Sequence, residues 1–255
     1  MEWIDSHCHL DMLETSVEET LERSSELGIH QMVTIGTTRK SNNWIAETVT
    51  KHEGVFGVLG YHPHYADDFV EEDLEIIERH IIQTPKIVAI GECGFDSYYQ
   101  KSTIENQRRS FELLMDMAIR LNKPLVVHTR SAEENTMITM EPYLKKGLKC
   151  VLHSFTSNDQ LAEFGIKYDC YFSFNGISTL KNSENIRQLL KKVPPDRVLL
   201  ETDSPYLAPH PHRGKKNFPG WVSLVGEFLA NYLEISVNDF AAQTCQNTKN
   251  FYNLN

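Results

Sequence analysis

The chain has 255 residues and carries 25 Lys and Arg against 35 Asp and Glu, a formal net charge of −10. A hydrophobic content of 40% and a charged content of 24% are ordinary for a globular protein and exclude a disordered or fibrous chain. The acidic balance excludes a protein that coats nucleic acid or membranes by bulk charge, and no apolar window approaches the roughly 18 residues of a membrane span.

Eight short β-branched or apolar runs alternate with helical stretches: Trp3 to Asp5, Gln31 to Ile35, Val55 to Leu59, Lys86 to Ile90, Pro124 to Val127, Lys149 to Leu152, Cys170 to Phe174 and Arg197 to Leu200. Most are near-continuously apolar, as parallel strands buried on both faces are. Between them, Ser16…Glu19, Ser102…Glu105, Ser157…Gln160 and Ser236…Asp239 read as helix starts, an N-cap oxygen three residues before a side chain that can reach back. Gly28, Gly54 and Gly147 suit positions just past helix ends, where φ is positive. Gln107, Phe111, Leu114, Ala118 and Leu121 recur at three- and four-residue steps, predicting a helix over 103–122 with one face on a sheet.

This alternation predicts an α/β fold, a (β/α)8 TIM barrel in which residues 1–255 form a single domain of the usual size of about 250 residues. An open doubly wound sheet is the alternative, but it usually carries a Gly-rich phosphate turn after its first strand. Here that place reads Ser6-His7-Cys8-His9. Five cysteines, Cys8, Cys93, Cys150, Cys170 and Cys245, show no paired spacing, and Met1 to Asp5 has neither a basic start nor an apolar stretch. The expected compartment is the reducing cytoplasm. Cys93, Cys150 and Cys170 read as small core hydrophobes, and Cys8 as oxidation-sensitive.

Polar residues follow the apolar runs: His7-Cys8-His9, Gly60-Tyr61-His62-Pro63, Gly91-Glu92-Cys93-Gly94-Phe95-Asp96, His128-Thr129-Arg130, His153-Ser154 and Glu201-Thr202-Asp203. In a barrel these C-terminal strand ends share one mouth, where catalytic groups sit. Side chains two apart on a strand point the same way, so His7 and His9 aim together while Cys8 faces away. A single strand histidine is usually a hydrogen-bonded core residue. Six candidate ligands after several strands instead predict metal binding, because buried charges and imidazoles need partners. Glu92 can bridge two divalent cations, with His128 and His153 on one side and His7, His9 and Asp203 on the other.

These motifs, with Glu201-Thr202-Asp203-Ser204-Pro205-Tyr206-Leu207 and Arg213-Gly214-Lys215-Lys216-Asn217-Phe218-Pro219, resemble in order and spacing those of the TatD-type metal-dependent deoxyribonucleases, a family of the amidohydrolase-like barrel superfamily. The resemblance covers essentially the whole chain. It implies a hydrolase that removes nucleotides from DNA ends, single-stranded or frayed, as a 3′-5′ exonuclease using two divalent ions. Those ions are Mg2+ or Mn2+ in function, with Zn2+ or Ni2+ as alternatives in isolated protein. One ion takes His7, His9, Glu92 and Asp203 and the other Glu92, His128 and His153, with Asp203 also orienting or deprotonating the attacking water. His62 then sits beside the substrate phosphate. Phe95 stands where the family has Leu, and Asn175 and Gly220-Trp221 also depart from its pattern, which bears on substrate contacts rather than on the metal site.

Arg130 and Arg213, with Lys215-Lys216 beside Arg213, are the expected cationic contacts to phosphate. Tyr61, Tyr65, Phe95, Tyr98, Tyr99 and Tyr206 are candidates for base stacking, Tyr98-Tyr99 foremost. The alternative function is hydrolysis of a small-molecule ester, amide or phosphoester, since the same metals polarise a carbonyl. In such barrels a carboxylated lysine often bridges the metals at the end of the fourth strand, whereas here Glu92 stands there and Lys86 lies at the other end. A third reading, a non-catalytic partner protein, would be expected to have lost ligand positions, and none is lost. No obligate protein partner is evident.

Overall fold

The computed structural model describes residues 1–254. Among them are eight strands: β1 (Trp3–Cys8), β2 (Ile29–Ile35), β3 (Val55–Leu59), β4 (Ile87–Asp96), β5 (Leu125–Arg130), β6 (Cys150–Leu152), β7 (Tyr171–Phe174) and β8 (Val198–Leu200). The α-helices are α1 (Val17–Ser25), α2 (Arg39–Lys51), α3 (Glu71–Gln83), α4 (Ile104–Arg120), α5 (Glu133–Leu144), α6 (Asp159–Lys167), α7 (Glu184–Lys192), α8 (Val222–Tyr232) and α9 (Val237–Tyr252). Strand order in the sheet is chain order, the arrangement of the (β/α)8 barrel class. No helix among the described residues is long and apolar enough to cross a membrane.

The chain divides into two compact units. The first comprises Met1–Thr34, Ser154–Thr156 and the chain from Tyr171 on; the second comprises Ile35–His153 and Ser157–Cys170. In the first unit β1 pairs with β2 and β7 with β8, all parallel, and Cys8 forms a single parallel bridge to Ser204. The Trp3 indole lies so close over Gly226 of α8 that a Cβ there would stand 2.3 Å from its ring, so only glycine admits this helix–strand approach. From α9, Phe251 packs on Tyr171 with ring centroids 4.9 Å apart, and the Tyr252 hydroxyl donates to the Ser6 carbonyl at 3.0 Å.

In the second unit β3, β4, β5 and β6 pair in parallel. α4 lays Phe111, Leu114, Met115 and Ala118 into the core, as the three- and four-residue spacing predicts, and leaves Leu121 half-buried at its end. Phe95 meets Phe111 edge-to-face at 5.5 Å. Fully burying an aromatic or large aliphatic side chain contributes about 1.5–3 kcal/mol, so this face is what holds α4 to the sheet. Cys150 and Cys170 lie buried with their sulfurs 3.3 Å apart, and Cys93 is buried as well, so all three pack as small hydrophobes.

Two expected helix starts move by one residue. α4 is capped by Thr103, whose oxygen accepts from Asn106 N, because the Ser102 hydroxyl is taken by the His64 carbonyl and Asp67 N. α6 is capped by Asn158, because Ser157 donates to Glu133 Oε1 at 2.7 Å. Ser16 and Ser236 cap α1 and α9 as expected. Gly28 and Gly147 take φ of 81° and 90°. α2 instead ends on an extended His52, leaving Gly54 in the turn before β3.

The larger difference is strand length. β1 continues to Cys8, β4 to Asp96 and β5 to Arg130, well past the apolar runs. Apolar patterning marks what is buried in hydrocarbon, whereas backbone pairing continues through polar residues: Gly94 pairs with His128, Phe95 with Thr129 and Asp96 with Arg130. Gly94, at φ 139°, permits this, since a Cβ there would sit 2.1 Å from the His128 carbonyl oxygen. The polar residues His7, Glu92, Asp96, His128 and Arg130 thus lie on the strands themselves, whereas His9, His62, His153 and Asp203 follow the strand ends.

Candidate active site

In the first unit the site is built at the ends of β1 and β8. The His7 and His9 rings lie edge-to-face, 5.2 Å between centroids. His7 Nε2 is 3.5 Å and His9 Nε2 3.3 Å from the same Asp203 oxygen, Oδ1. Asp203 takes φ 56°, a left-handed conformation uncommon for a residue with a side chain. The turn is held from several sides. Asp203 N donates to the His7 carbonyl at 2.9 Å, and Asn217 Nδ2 donates to the carbonyls of Thr202 and Tyr206 at 2.9 and 2.7 Å.

Two carboxylates to which the sequence reading assigns no role support this half. Asp5 accepts from Thr202 N at 2.9 Å, from the Thr202 hydroxyl at 2.5 Å and from His7 N at 3.2 Å, which ties β1 to the Asp203 turn. Burial pushes its carboxyl well above the usual range, against these hydrogen bonds. Glu201, fully buried, accepts from Ser154 N, the Ser173 hydroxyl and Asn175 Nδ2, and lies 3.9 Å from His7 Nδ1. Asn175, a candidate for altered substrate contact, is instead buried and engaged with Glu201 and the Ser154 hydroxyl. Cys8 corrects another expectation. It is fully buried, its thiol donates to the Val33 carbonyl, and burial raises its pKa well above the ordinary value, so it is neither accessible nor a thiolate.

In the second unit Glu92 is the hub. Its Oε1 stands 2.8 Å from His128 Nδ1, 2.8 Å from His153 Nε2 and 3.4 Å from His62 Nε2. Burial pushes the Glu92 carboxyl up, but the imidazoles of His153, His62 and His128 outweigh it and hold the group well below the usual carboxylate range. Asp96 forms the outer layer. Its Oδ2 accepts from His64 Nε2 at 2.8 Å and His128 Nε2 at 3.3 Å, while Oδ1 accepts from the backbone N–H of Tyr98 and Tyr99 at 3.0 and 2.8 Å. Burial lowers the His128 pKa, and Asp96 and Glu92 together raise it above the ordinary value. Asp96 ends the motif Gly91-Glu92-Cys93-Gly94-Phe95-Asp96, but neither it nor His64 carries a sequence signal for this role, which depends on pairing between distant strands.

His62, expected beside the phosphate, has its Nδ1 accepting from His64 N at 3.0 Å and its Nε2 turned to Glu92. Donor atoms of His62, Glu92 and His128 lie within 4.8 Å of one another. Imidazole nitrogens turned onto one carboxylate oxygen, in both clusters, are a donor set that suits a divalent cation, so the residues fit the expected metal.

Arg130 is exposed at the end of β5 with its guanidinium over both Tyr98 and Tyr99. Arg213 is exposed, whereas its neighbour Lys216 is paired with Glu14. Tyr61 and Phe95 are buried and leave the stacking candidates; Tyr65, Tyr98, Tyr99 and Tyr206 are exposed. Trp221, another departure from the family pattern, stacks on His212 at 4.1 Å.

A (β/α)8 chain with two imidazole–carboxylate clusters at its strand ends defines the class of metal-dependent barrel hydrolases. The family follows from comparison with known proteins. The model of the TatD related DNase family matches residues 4–253, and the chain belongs to that family. It is 32% identical over 253 residues to an uncharacterized metal-dependent hydrolase, YabD, of Bacillus subtilis, covering 98% of this chain and 99% of the relative. It is 28% identical to the 3′-5′ ssDNA/RNA exonuclease TatD of Erwinia tasmaniensis, covering 93% of each. Among solved structures it is similar to YjjV, a TatD homologue of Escherichia coli, with a TM-score of 0.92, 23% identity and coverage of 99% of this chain and 98% of the other. The protein is a metal-dependent hydrolase of the TatD family.

Proposed function

We propose that this hydrolase is a deoxyribonuclease that removes nucleotides from single-stranded or frayed DNA ends in the 3′-5′ direction, with Mg2+ or Mn2+. The observation that carries the reading is the set of imidazoles turned onto Glu92 Oε1 and Asp203 Oδ1. Family membership supports phosphodiester chemistry, and the name of the Erwinia relative supports a single strand and its polarity. In this reading His7, His9 and Asp203 would hold one ion, and Glu92, His128 and His153 a second.

When bound, such a pair lowers the pKa of a water and offsets the negative charge of the phosphodiester. Asp203 orients that water and takes its proton at a carboxylate oxygen. Its side chain is 15% exposed against 2% for Glu92, so solvent reaches Asp203 and not the buried hub. His62 stands beside the phosphate in this reading, with its Nδ1 accepting from His64 N and its Nε2 3.4 Å from Glu92 Oε1. Arg130 and Arg213 add positive charge for the strand, which an acidic chain otherwise lacks.

The test is a panel of 3′-labelled and 5′-labelled single strands, duplexes, RNA and small phosphodiesters, esters and amides, offered with each divalent metal. Loss of nucleotides from 3′ ends, stopped by EDTA, is the expected result. Metal-loaded protein that leaves nucleic acid intact and turns over a small ester or amide overturns the reading.

A further inference from the structure

Beside the Glu92 cluster the second unit presents two large aromatic side chains to solvent, Tyr98 at 62% and Tyr99 at 50% exposure. Their rings stand perpendicular, 4.9 Å apart. The Arg130 guanidinium caps both, 4.3 Å from one ring centroid and 4.6 Å from the other. No carboxylate forms an ion pair with Arg130 among the described residues, although the chain carries ten more acidic than basic side chains. An exposed cation held on aromatic faces and left without a counter-ion is available to an anion from outside.

The rings are also held in place. The backbone N–H groups of Tyr98 and Tyr99 both donate to Asp96 Oδ1, and Ser97 N donates to the Arg130 carbonyl at 3.0 Å. The other oxygen of Asp96 accepts from His64 and His128, so one carboxylate sets both the tyrosine turn and a ring of the Glu92 cluster. Tyr99 reaches the cluster directly, its ring 5.3 Å from His64, which in turn lies 4.3 Å from His62.

We propose that Tyr98, Tyr99 and Arg130 form a stacking platform for unpaired nucleobases, with Arg130 gripping a backbone phosphate next to the one that is cleaved. The proposal deepens the nuclease reading and rests on it for the identity of the bound strand. Stacking on such a platform is sequence-tolerant, because every base has a π-face, and it requires that the face be free. The platform therefore selects single strands and frayed ends over paired duplex. It also supplies what net charge does not: local affinity without a bulk electrostatic footprint.

The test measures binding apart from cleavage. Fluorescein-labelled dT6, an abasic hexamer of the same phosphate count and a blunt hairpin duplex are titrated by anisotropy against Ca2+-loaded protein, with strand integrity checked on a gel. Wild type is expected to bind dT6 about 10-fold or more tighter than the abasic hexamer, the scale of one stacked base, and tighter than the hairpin. The double variant Tyr98→Ala/Tyr99→Ala is expected to lose that base dependence to within about 2-fold, the double variant Tyr98→Phe/Tyr99→Phe to keep it, and Arg130→Gln to weaken both single strands alike. Circular dichroism melting confirms that each variant folds. The platform is overturned if wild type binds abasic and dT6 hexamers equally, if it binds neither, or if the alanine variant still discriminates. Base-dependent binding without Mg2+- or Mn2+-dependent cleavage of dT6 supports the platform and removes the nuclease reading; cleavage without base dependence does the reverse.

Discussion

The two imidazole–carboxylate clusters solve the same problem with different margins. Around Glu92, two imidazole nitrogens stand at 2.8 Å and a third at 3.4 Å, and Asp96 fixes the far nitrogen of His128. Around Asp203, His7 and His9 stand at 3.5 and 3.3 Å, and the aspartate itself is carried on a left-handed turn with access to solvent. The first arrangement neutralises its own buried charge and is shaped before any cation arrives. The second is the more open, which is what the proposed exchange of water and protons at Asp203 requires. A buried hub and a half-buried carboxylate at a turn are two environments set by packing rather than by residue type.

The largest expected effect breaks that comparison at the open end. Asp203→Asn should lower turnover by about 10²–10⁴-fold, the scale of a lost general base, while the melting temperature stays close to wild type. Steady-state assays beside calorimetry decide it, and retention of most activity removes Asp203 from proton transfer. Next, Asp96→Asn should weaken metal binding about 10- to 100-fold, the usual cost of losing the partner that orients a ligand histidine. Isothermal titration with Mn2+ reads this directly, and an unchanged affinity means that His128 is oriented without Asp96.

Stability separates the clusters further. In EDTA-treated protein Glu92→Gln should cost about 1.5–3 kcal/mol, the range for hydrogen bonds to a charged group, and Asp203→Asn less, measured by urea unfolding at neutral pH. Equal losses would mean that the Glu92 cluster is no better neutralised than the other.

The smallest effect is in pH. Glu92 and Asp96 sit below their ordinary values of 4.5 and 3.8 in the folded protein, so their contribution is full above about pH 4.5 and falls away in acid. His128 sits above its ordinary 6.5, so its contribution is full below that value and is lost as pH rises through the folded one. The metal-free protein should therefore melt highest between these limits. Asp5, in the first unit, has the opposite sign to Glu92: burial raises its carboxyl, so its contribution is lost as pH rises. A melting temperature in EDTA that climbs steadily from pH 5 to 8 contradicts the scheme.

Much of this was legible in the chain. Short apolar runs separated by capped amphipathic stretches determine eight strands and their order, because burial and helix periodicity are local properties of a sequence. The same locality put His7, Glu92, His128, His153 and Asp203 at strand ends. It stopped the strands too early, since a run such as Gly91–Asp96 carries no hydrophobic pattern even though its backbone goes on pairing. It also placed two helix caps on Ser102 and Ser157, whose hydroxyls serve other elements.

What only the tertiary structure decided is which atom faces which. Nothing local distinguishes Asp96, whose two oxygens join His64 and His128 to the tyrosine turn, from any aspartate after a strand. Glu201 behind His7, Asn175 beneath Glu201 and Arg130 across Tyr98 and Tyr99 belong to the same kind. Each joins residues that the fold brings together from separate strands and loops. The sequence by itself determined the kinds of donor and the strands that carry them; their partners follow from directional hydrogen bonds and ring contacts, which exist only once those strands are paired.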